Sequence, residues 1–221
     1  MSIRKSVAEA LGTFLFMMIG YTSIAAIAGT EPPITGLLVV PFSFGLGLLA
    51  AIAVFGHISG AHFNPAVTIA MVLDKRTTPI DGVGYIVAQV VGALAAAVVI
   101  AVTIDQSVLT SGITKPGAGI SDFAALILEI LFTAIFLLVI LSSSKRSPST
   151  AWIVIPLTLV AIHFAVATVS GASVNPARSI GSAVVGGDLS ALWIYIVGPV
   201  IGGVIGWGIF HALDVDEAVE I

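Results

Sequence analysis

The chain is 221 residues long, 58% of them apolar and only 9% charged, where soluble domains carry roughly a quarter charged residues. Too little polar surface exists to cover a water-soluble particle, and a disordered chain, poor in apolar residues by nature, is excluded by the same composition. A formal net charge of −4 without a long basic run gives no reason to expect nucleic acid as a partner, and the absence of cysteine removes disulfides, thiolate metal sites and cysteine nucleophiles together.

What remains is an integral membrane protein, expected as one domain over 1–221. A helix needs about 20 mostly apolar residues to cross a hydrocarbon core roughly 30 Å thick. Six stretches qualify, at about 7–28, 34–56, 82–104, 123–141, 151–169 and 191–213. The first follows Arg4 and Lys5 but is too long for the apolar region of a signal peptide, contains Glu9 and lacks a small-residue cleavage site. Residues 57–74 and 170–187 are moderately apolar and too short to cross, and each contains Asn-Pro-Ala, at 64–66 and 175–177. The pairs Arg4–Lys5, Lys75–Arg76 and Lys145–Arg146 fall on one face of a six-span chain, against Lys115 alone on the other. The positive-inside rule then places both termini in the cytoplasm, with Asp214, Asp216, Glu217 and Glu220 as a solvated acidic end.

The two halves repeat each other. Residues 59–68 read SGAHFNPAVT and residues 170–179 read SGASVNPARS. Glu9, Leu11, Thr13 and Phe16 return as Glu129, Leu131, Thr133 and Phe136; Tyr85, Ile86, Val87, Val90 and Gly92 return as Tyr195, Ile196, Val197, Val200 and Gly202. The matched blocks keep their order at offsets of 110 to 120 residues, giving repeats of about 1–110 and 120–221. Each half holds three spans, an odd number, so the second half enters the membrane in the opposite sense and the repeat is inverted.

Asn can cap a helix, and Pro at the first helical position has no N–H to lose. A helix from Pro65 to Asp74, or from Pro176 to about Val185, spans about 15 Å, half a bilayer, at roughly 1.5 Å per residue. Each short segment therefore reads as a re-entrant half-helix behind an extended Ser-Gly-Ala approach, a backbone tolerated at membrane depth only where protein buries it or it lines water. Two helix starts, each worth roughly half a positive charge, would meet at the midplane. The carboxamides of Asn64 and Asn175 would offer donors there, and carbonyls of Gly60, Ala61, His62, Gly171, Ala172 and Ser173 an acceptor ladder. A neutral hydrogen-bonding solute suits such a path; a cation or proton does not.

Paired Asn-Pro-Ala segments in inverted halves, with Arg178 directly after the second, resemble the aquaporin (major intrinsic protein) family. Glu9, Thr13, residues 57–62 (HISGAH), Gln89, Gly92 and Glu129 extend the likeness over nearly the whole chain. The resemblance implies six tilted helices plus two half-helices in an inverted repeat, a pore in each subunit and a homotetramer. It also implies a selectivity filter of Phe44, His163, Ala172 and Arg178, with Glu9 and Glu129 supporting the loops. Water-selective members look like this set, and short loops and termini fit a prokaryotic type. Glycerol-conducting relatives have Gly in place of the His, a second aromatic, and Asp after the Arg where this chain has Ser179. Ala172 departs from the Cys or Thr more common in water channels and makes the neck roomier.

The function this implies is passive single-file water conduction with exclusion of protons and ions. A glycerol or ammonia facilitator is the nearer alternative. A secondary active transporter, which also uses inverted repeats and broken helices, is the more distant one, because Glu9 and Glu129 are its only deep acids. An enzyme is not expected, since neither Gly-x-Ser-x-Gly nor His-Glu-x-x-His occurs. His57 and His62 lack the companions of a metal site, and neither metal nor cofactor is expected.

Overall fold

The computed structural model describes residues 2–27 and 34–213; the acidic residues Asp214, Asp216, Glu217 and Glu220 lie outside them. Among the described residues, six helices are long and apolar enough to cross a membrane. They are α1 (Ile3–Ala26), α2 (Ile34–Ser59), α4 (Pro79–Thr103), α6 (Asp122–Arg146), α7 (Pro148–Val166) and α9 (Leu192–Leu213). Two short helices, α3 (Pro65–Leu73) and α8 (Pro176–Gly186), occupy the positions of the half-helices, and α5 (Gln106–Ser111) is a further short element.

The spans begin at their capping chemistry more than at their first apolar residue. Thr78 and Ser121 accept from Asp81 N and Ala124 N, and Pro79 and Pro148 open α4 and α7. The Ser-rich stretch 142–150, which the hydropathy leaves as a loop, is helical on both sides of Ser147. Pro41, Pro156 and Pro199 lie inside α2, α7 and α9, as membrane helices allow when neighbours satisfy the freed carbonyls.

Packing follows the repeat. The α1–α4 pair of the first half corresponds to α6–α9 of the second, and α2 meets α7 across the middle. Matching glycines make the close crossings: a Cβ on Gly92 would strike the Ala10 carbonyl, and one on Gly202 the Ile130 carbonyl. One turn further, a Cβ on Gly206 would stand 2.6 Å from the Ala134 carbonyl. Backbone approach of this kind is how membrane helices associate without a hydrophobic driving force between them. Val83, Val87, Val91, Val98 and Val102 stay exposed along one side of α4, a lipid-compatible stripe.

The approaches to the half-helices are not extended as the sequence suggested. Gly60 and Gly171 both have φ of 93°, and Ala61, Phe63, Ala172 and Val174 have φ of 55°, 48°, 45° and 44°. Positive φ thus recurs at residues 60, 61 and 63 of the first approach and at 171, 172 and 174 of the second. For a β-branched residue such as Val174 this is a true outlier. Such strain costs of order 1–3 kcal/mol per residue and persists only where the surroundings over-determine it.

Candidate functional site: a constricted pore between two half-helices

Glu9 and Glu129 supply that over-determination. The Glu9 carboxylate accepts from Ser59 Oγ at 2.6 Å, His62 N at 3.0 Å, Phe63 N at 2.7 Å and Gln89 Nε2 at 2.7 Å. Glu129 accepts from Ser170 Oγ at 2.8 Å, Ser173 N at 3.0 Å and Val174 N at 2.8 Å. Both acids are fully buried, with every bond directed at the strained approach or its brace. Charge-assisted bonds of this sort are about twice as strong as neutral ones. The bonding of the two carboxylates differs at Gln89: Pro199 stands in α9 where α4 has Gln89, so the second carboxylate lacks the side-chain amide.

The half-helices meet start to start. Asn64 Oδ1 accepts from Ala66 N at 2.9 Å, while Asn175 Oδ1 accepts from Ala177 N at 3.0 Å and Arg178 N at 3.4 Å. Each Asn then donates across the midline: Asn64 Nδ2 to the Val174 carbonyl at 2.7 Å, and Asn175 Nδ2 to the Phe63 carbonyl at 2.9 Å. A carboxamide has two N–H groups, so one per Asn is left beyond this exchange. Both residues line a cavity of about 20 Å³, together with Phe16, Phe44, Leu48, Phe136, His163, Ser173 and Arg178. That is room for one water, which needs roughly 10–15 Å³ on this measure.

His163 and Arg178 also border a wide vestibule of about 880 Å³ on the Lys115 face. Leu48 also borders a second one of about 360 Å³, lined by Gly60, Ala61 and His62 beside Trp152. Three spaces thus stand in series, wide, narrow and wide. The narrow one is mostly apolar, with its polar atoms on a few residues.

Of the four residues expected to form a filter, three come together. Phe44 and His163 stack with centroids 5.1 Å apart at 18°, and the Arg178 guanidinium lies 5.3 Å from the Phe44 centroid. His163 Nδ1 donates to the Leu159 carbonyl at 2.9 Å, which leaves Nε2 buried without a protein partner. Arg178 Nη1 donates to the Gly112 carbonyl at 2.9 Å, and its Nε is likewise unpartnered. Unpaired donors and acceptors at this depth are expensive unless a solute meets them. Ala172 is fully buried in the apolar core and lines neither the cavity nor the vestibule beside it.

Other candidates take structural places. His62 Nδ1 pairs with Thr68 Oγ1 at 3.1 Å, and the corresponding Ser173 Oγ pairs with Ser179 Oγ at 2.6 Å. His57 is exposed, and His211 stacks on Trp207 at 5.5 Å.

The sequence reading missed two supports. Segment 104–120 straps α8: Gln106 Nε2 and Thr110 Oγ1 donate to the carbonyls of Val185 and Gly186, and Thr114 Oγ1 meets Ser179 Oγ at 2.6 Å. Tyr21, buried in α1, donates its hydroxyl to the Arg178 carbonyl. The signal for Tyr21 was its type: a phenol inside an apolar span needs a partner for its O–H.

Residues 1–210 match the family model described as Major intrinsic protein. The chain is 38% identical over 225 residues to Aquaporin Z of Photorhabdus laumondii, covering 96% of this chain and 97% of the relative. It is 36% identical over 214 residues to Glycerol uptake facilitator protein-like 6 of Lactiplantibacillus plantarum, at 92% and 94% coverage. Among solved structures, the aquaglyceroporin from Plasmodium falciparum superposes with a TM-score of 0.85 at 23% identity over 96% of each chain, a likeness of fold. With membrane-length helices, an inverted repeat and this match over nearly its full length, the chain belongs to the major intrinsic protein family, the aquaporins, and is a multi-pass membrane channel.

Proposed function

We propose that this channel passes water in single file and excludes protons, ions and polyols. The observation that carries the reading is the one-water cavity of about 20 Å³ at the junction of two helix starts, walled by Phe44, His163 and Arg178. The remaining N–H of Asn64 and that of Asn175 both donate to the water between them. A water accepting twice turns its own hydrogens outward and accepts no proton from its neighbours, so the relay breaks there. The positive ends of α3 and α8 and the Arg178 guanidinium add an electrostatic barrier to cations. Carbonyls of Gly60, Ala61 and His62, and of Gly171 and Ser173, carry water to and from this point, while Ala172 lies in the core away from it.

The names of the two relatives point in different directions, one to an aquaporin and one to glycerol uptake. The stacked Phe44–His163 pair beside Arg178 favours water, because the cavity these residues wall is only about 20 Å³. Ala172, withdrawn into the core, does not widen the cavity, so ammonia passage at the filter is a secondary outcome to test. The channel works as a homotetramer in the cell membrane with both termini cytoplasmic, as the family likeness and the basic residues at 4–5, 75–76 and 145–146 support.

Stopped-flow light scattering on vesicles reconstituted with the protein tests the reading. Rapid shrinkage in sucrose, no swelling in iso-osmotic glycerol and no collapse of a proton gradient are expected. Glycerol swelling as fast as the water response would replace it with the polyol facilitator.

A further inference from the structure

All three tyrosines of the chain are buried, and each hydroxyl donates to a backbone carbonyl of a re-entrant segment. Tyr85 holds the Ser59 carbonyl at 2.8 Å and Tyr195 the Ser170 carbonyl at 2.6 Å. These two are repeat mates and serve the two approaches alike. Tyr21 has no mate: the offset that relates Glu9 to Glu129 and Phe16 to Phe136 places Leu141 opposite it. Leu141 is buried in the apolar core, with no side-chain donor to offer. The extra phenol therefore serves only the second half, and its target is the carbonyl of Arg178.

Tyr21 touches two filter elements at once. Its ring meets Phe44 edge-on with centroids 6.3 Å apart at 78°, while its hydroxyl holds the backbone of Arg178. Phe44 is further fixed by Phe16, edge-on at 6.0 Å, and by the stacked His163. Tyr21 itself is fully buried and does not line the cavity. A Cβ on Gly181, one turn along α8, would stand 2.8 Å from the Tyr21 hydroxyl, so α8 has a glycine where the phenol reaches it. Another Cβ, on Gly20, would stand 2.5 Å from the Phe44 ring, which shows how closely α1 and Phe44 are fitted.

We propose that Tyr21 is a positioning residue for selectivity: it sets the gap between the Phe44 ring and Arg178, and so the size of solute the filter admits. The proposal rests on the filter reading above. Phe44 packs against the ring, and the first turn of α8 hangs from the hydroxyl. Removal of the hydroxyl takes away one of the bonds to the Arg178 carbonyl, which Ser182 Oγ also reaches at 3.4 Å; removal of the ring takes a packing partner from Phe44 as well.

The test measures water and glycerol permeability of vesicles holding equal amounts of folded channel, for Tyr21→Phe, Tyr21→Leu and a control, Arg178→Val. Loss of one neutral hydrogen bond in Tyr21→Phe should raise the glycerol-to-water ratio by about fivefold. Tyr21→Leu should raise it further. If Tyr21→Leu does not fold, the near-isosteric Tyr21→Phe decides by itself. An unchanged ratio, or a parallel fall of both permeabilities as a merely structural role predicts, overturns the proposal. The control separates the two readings: a changed ratio in Arg178→Val with none in Tyr21→Phe removes only the role of Tyr21. No change in either removes the filter assignment too.

Discussion

Asn64 donates to the carbonyl of Val174 at 2.7 Å, a bond that joins residues 110 positions apart and locks the start of one half-helix to the approach of the other. Asn175 returns the bond to Phe63 at 2.9 Å. Because Phe63 and Val174 are the left-handed residues just before each Asn, the exchange secures strained backbone in both approaches.

Asn175→Ala removes both this donor and the cap that accepts from Ala177 N and Arg178 N. A lost cap and an unpaired buried carbonyl together cost about 2–3 kcal/mol. Asn64, which caps a single N–H, should cost less when replaced by Ala. Thermal unfolding in detergent checks the order; equal losses would mean that the second capped N–H contributes nothing.

The carboxylates allow a sharper comparison. Gln in place of Glu turns one accepting oxygen into an NH₂ that faces N–H donors, at a cost of roughly 2–4 kcal/mol. Glu9→Gln should be the more damaging, because Glu9 meets four donors including Gln89 while Glu129 meets three. Melting temperatures of the two variants, with water permeability per folded channel, decide it. A larger loss for Glu129→Gln would show that the Gln89 amide is not a net stabiliser.

Selectivity should follow the filter geometry. Replacing His163 by Gly removes the stacked imidazole from the cavity wall, so passage should shift toward polyols. A shift of about tenfold in the glycerol-to-water ratio corresponds to a barrier change of roughly 1.4 kcal/mol. Iso-osmotic glycerol swelling of reconstituted vesicles measures it, and wild-type selectivity in His163→Gly would count against His163 as a wall of the pore.

Helix crossings should discriminate between glycines. A methyl group at Gly202 collides with the Ile130 carbonyl, so Gly202→Ala should destabilise by about 1–3 kcal/mol. Gly208→Ala meets nothing within 4 Å and should be neutral or stabilise by about 1 kcal/mol through helix propensity. Detergent unfolding of the pair is a direct check, and equal behaviour would mean that α6 and α9 shift apart without cost.

The amino-acid sequence by itself determined the six spans, the inverted repeat and the two half-helix starts. These rest on properties local to the chain: apolar runs of membrane length, Asn-Pro capping, and an odd number of spans per half. It also indicated Phe44, His163 and Arg178 as neighbours, but through family likeness, since an aromatic in one span and an imidazole in another have no local signature of contact. Only the tertiary structure decided the left-handed conformations of Ala61, Phe63, Ala172 and Val174. Those conformations are unfavourable on their own and exist because a distant carboxylate gathers their N–H groups. Likewise Tyr21 reaches Arg178 across 157 residues, and Thr114 meets Ser179 across 65. Nothing near either residue in the chain selects that partner. The packing of α1 and the 104–120 strap against α8 does, because a buried hydroxyl must find a partner and the fold brings these within reach.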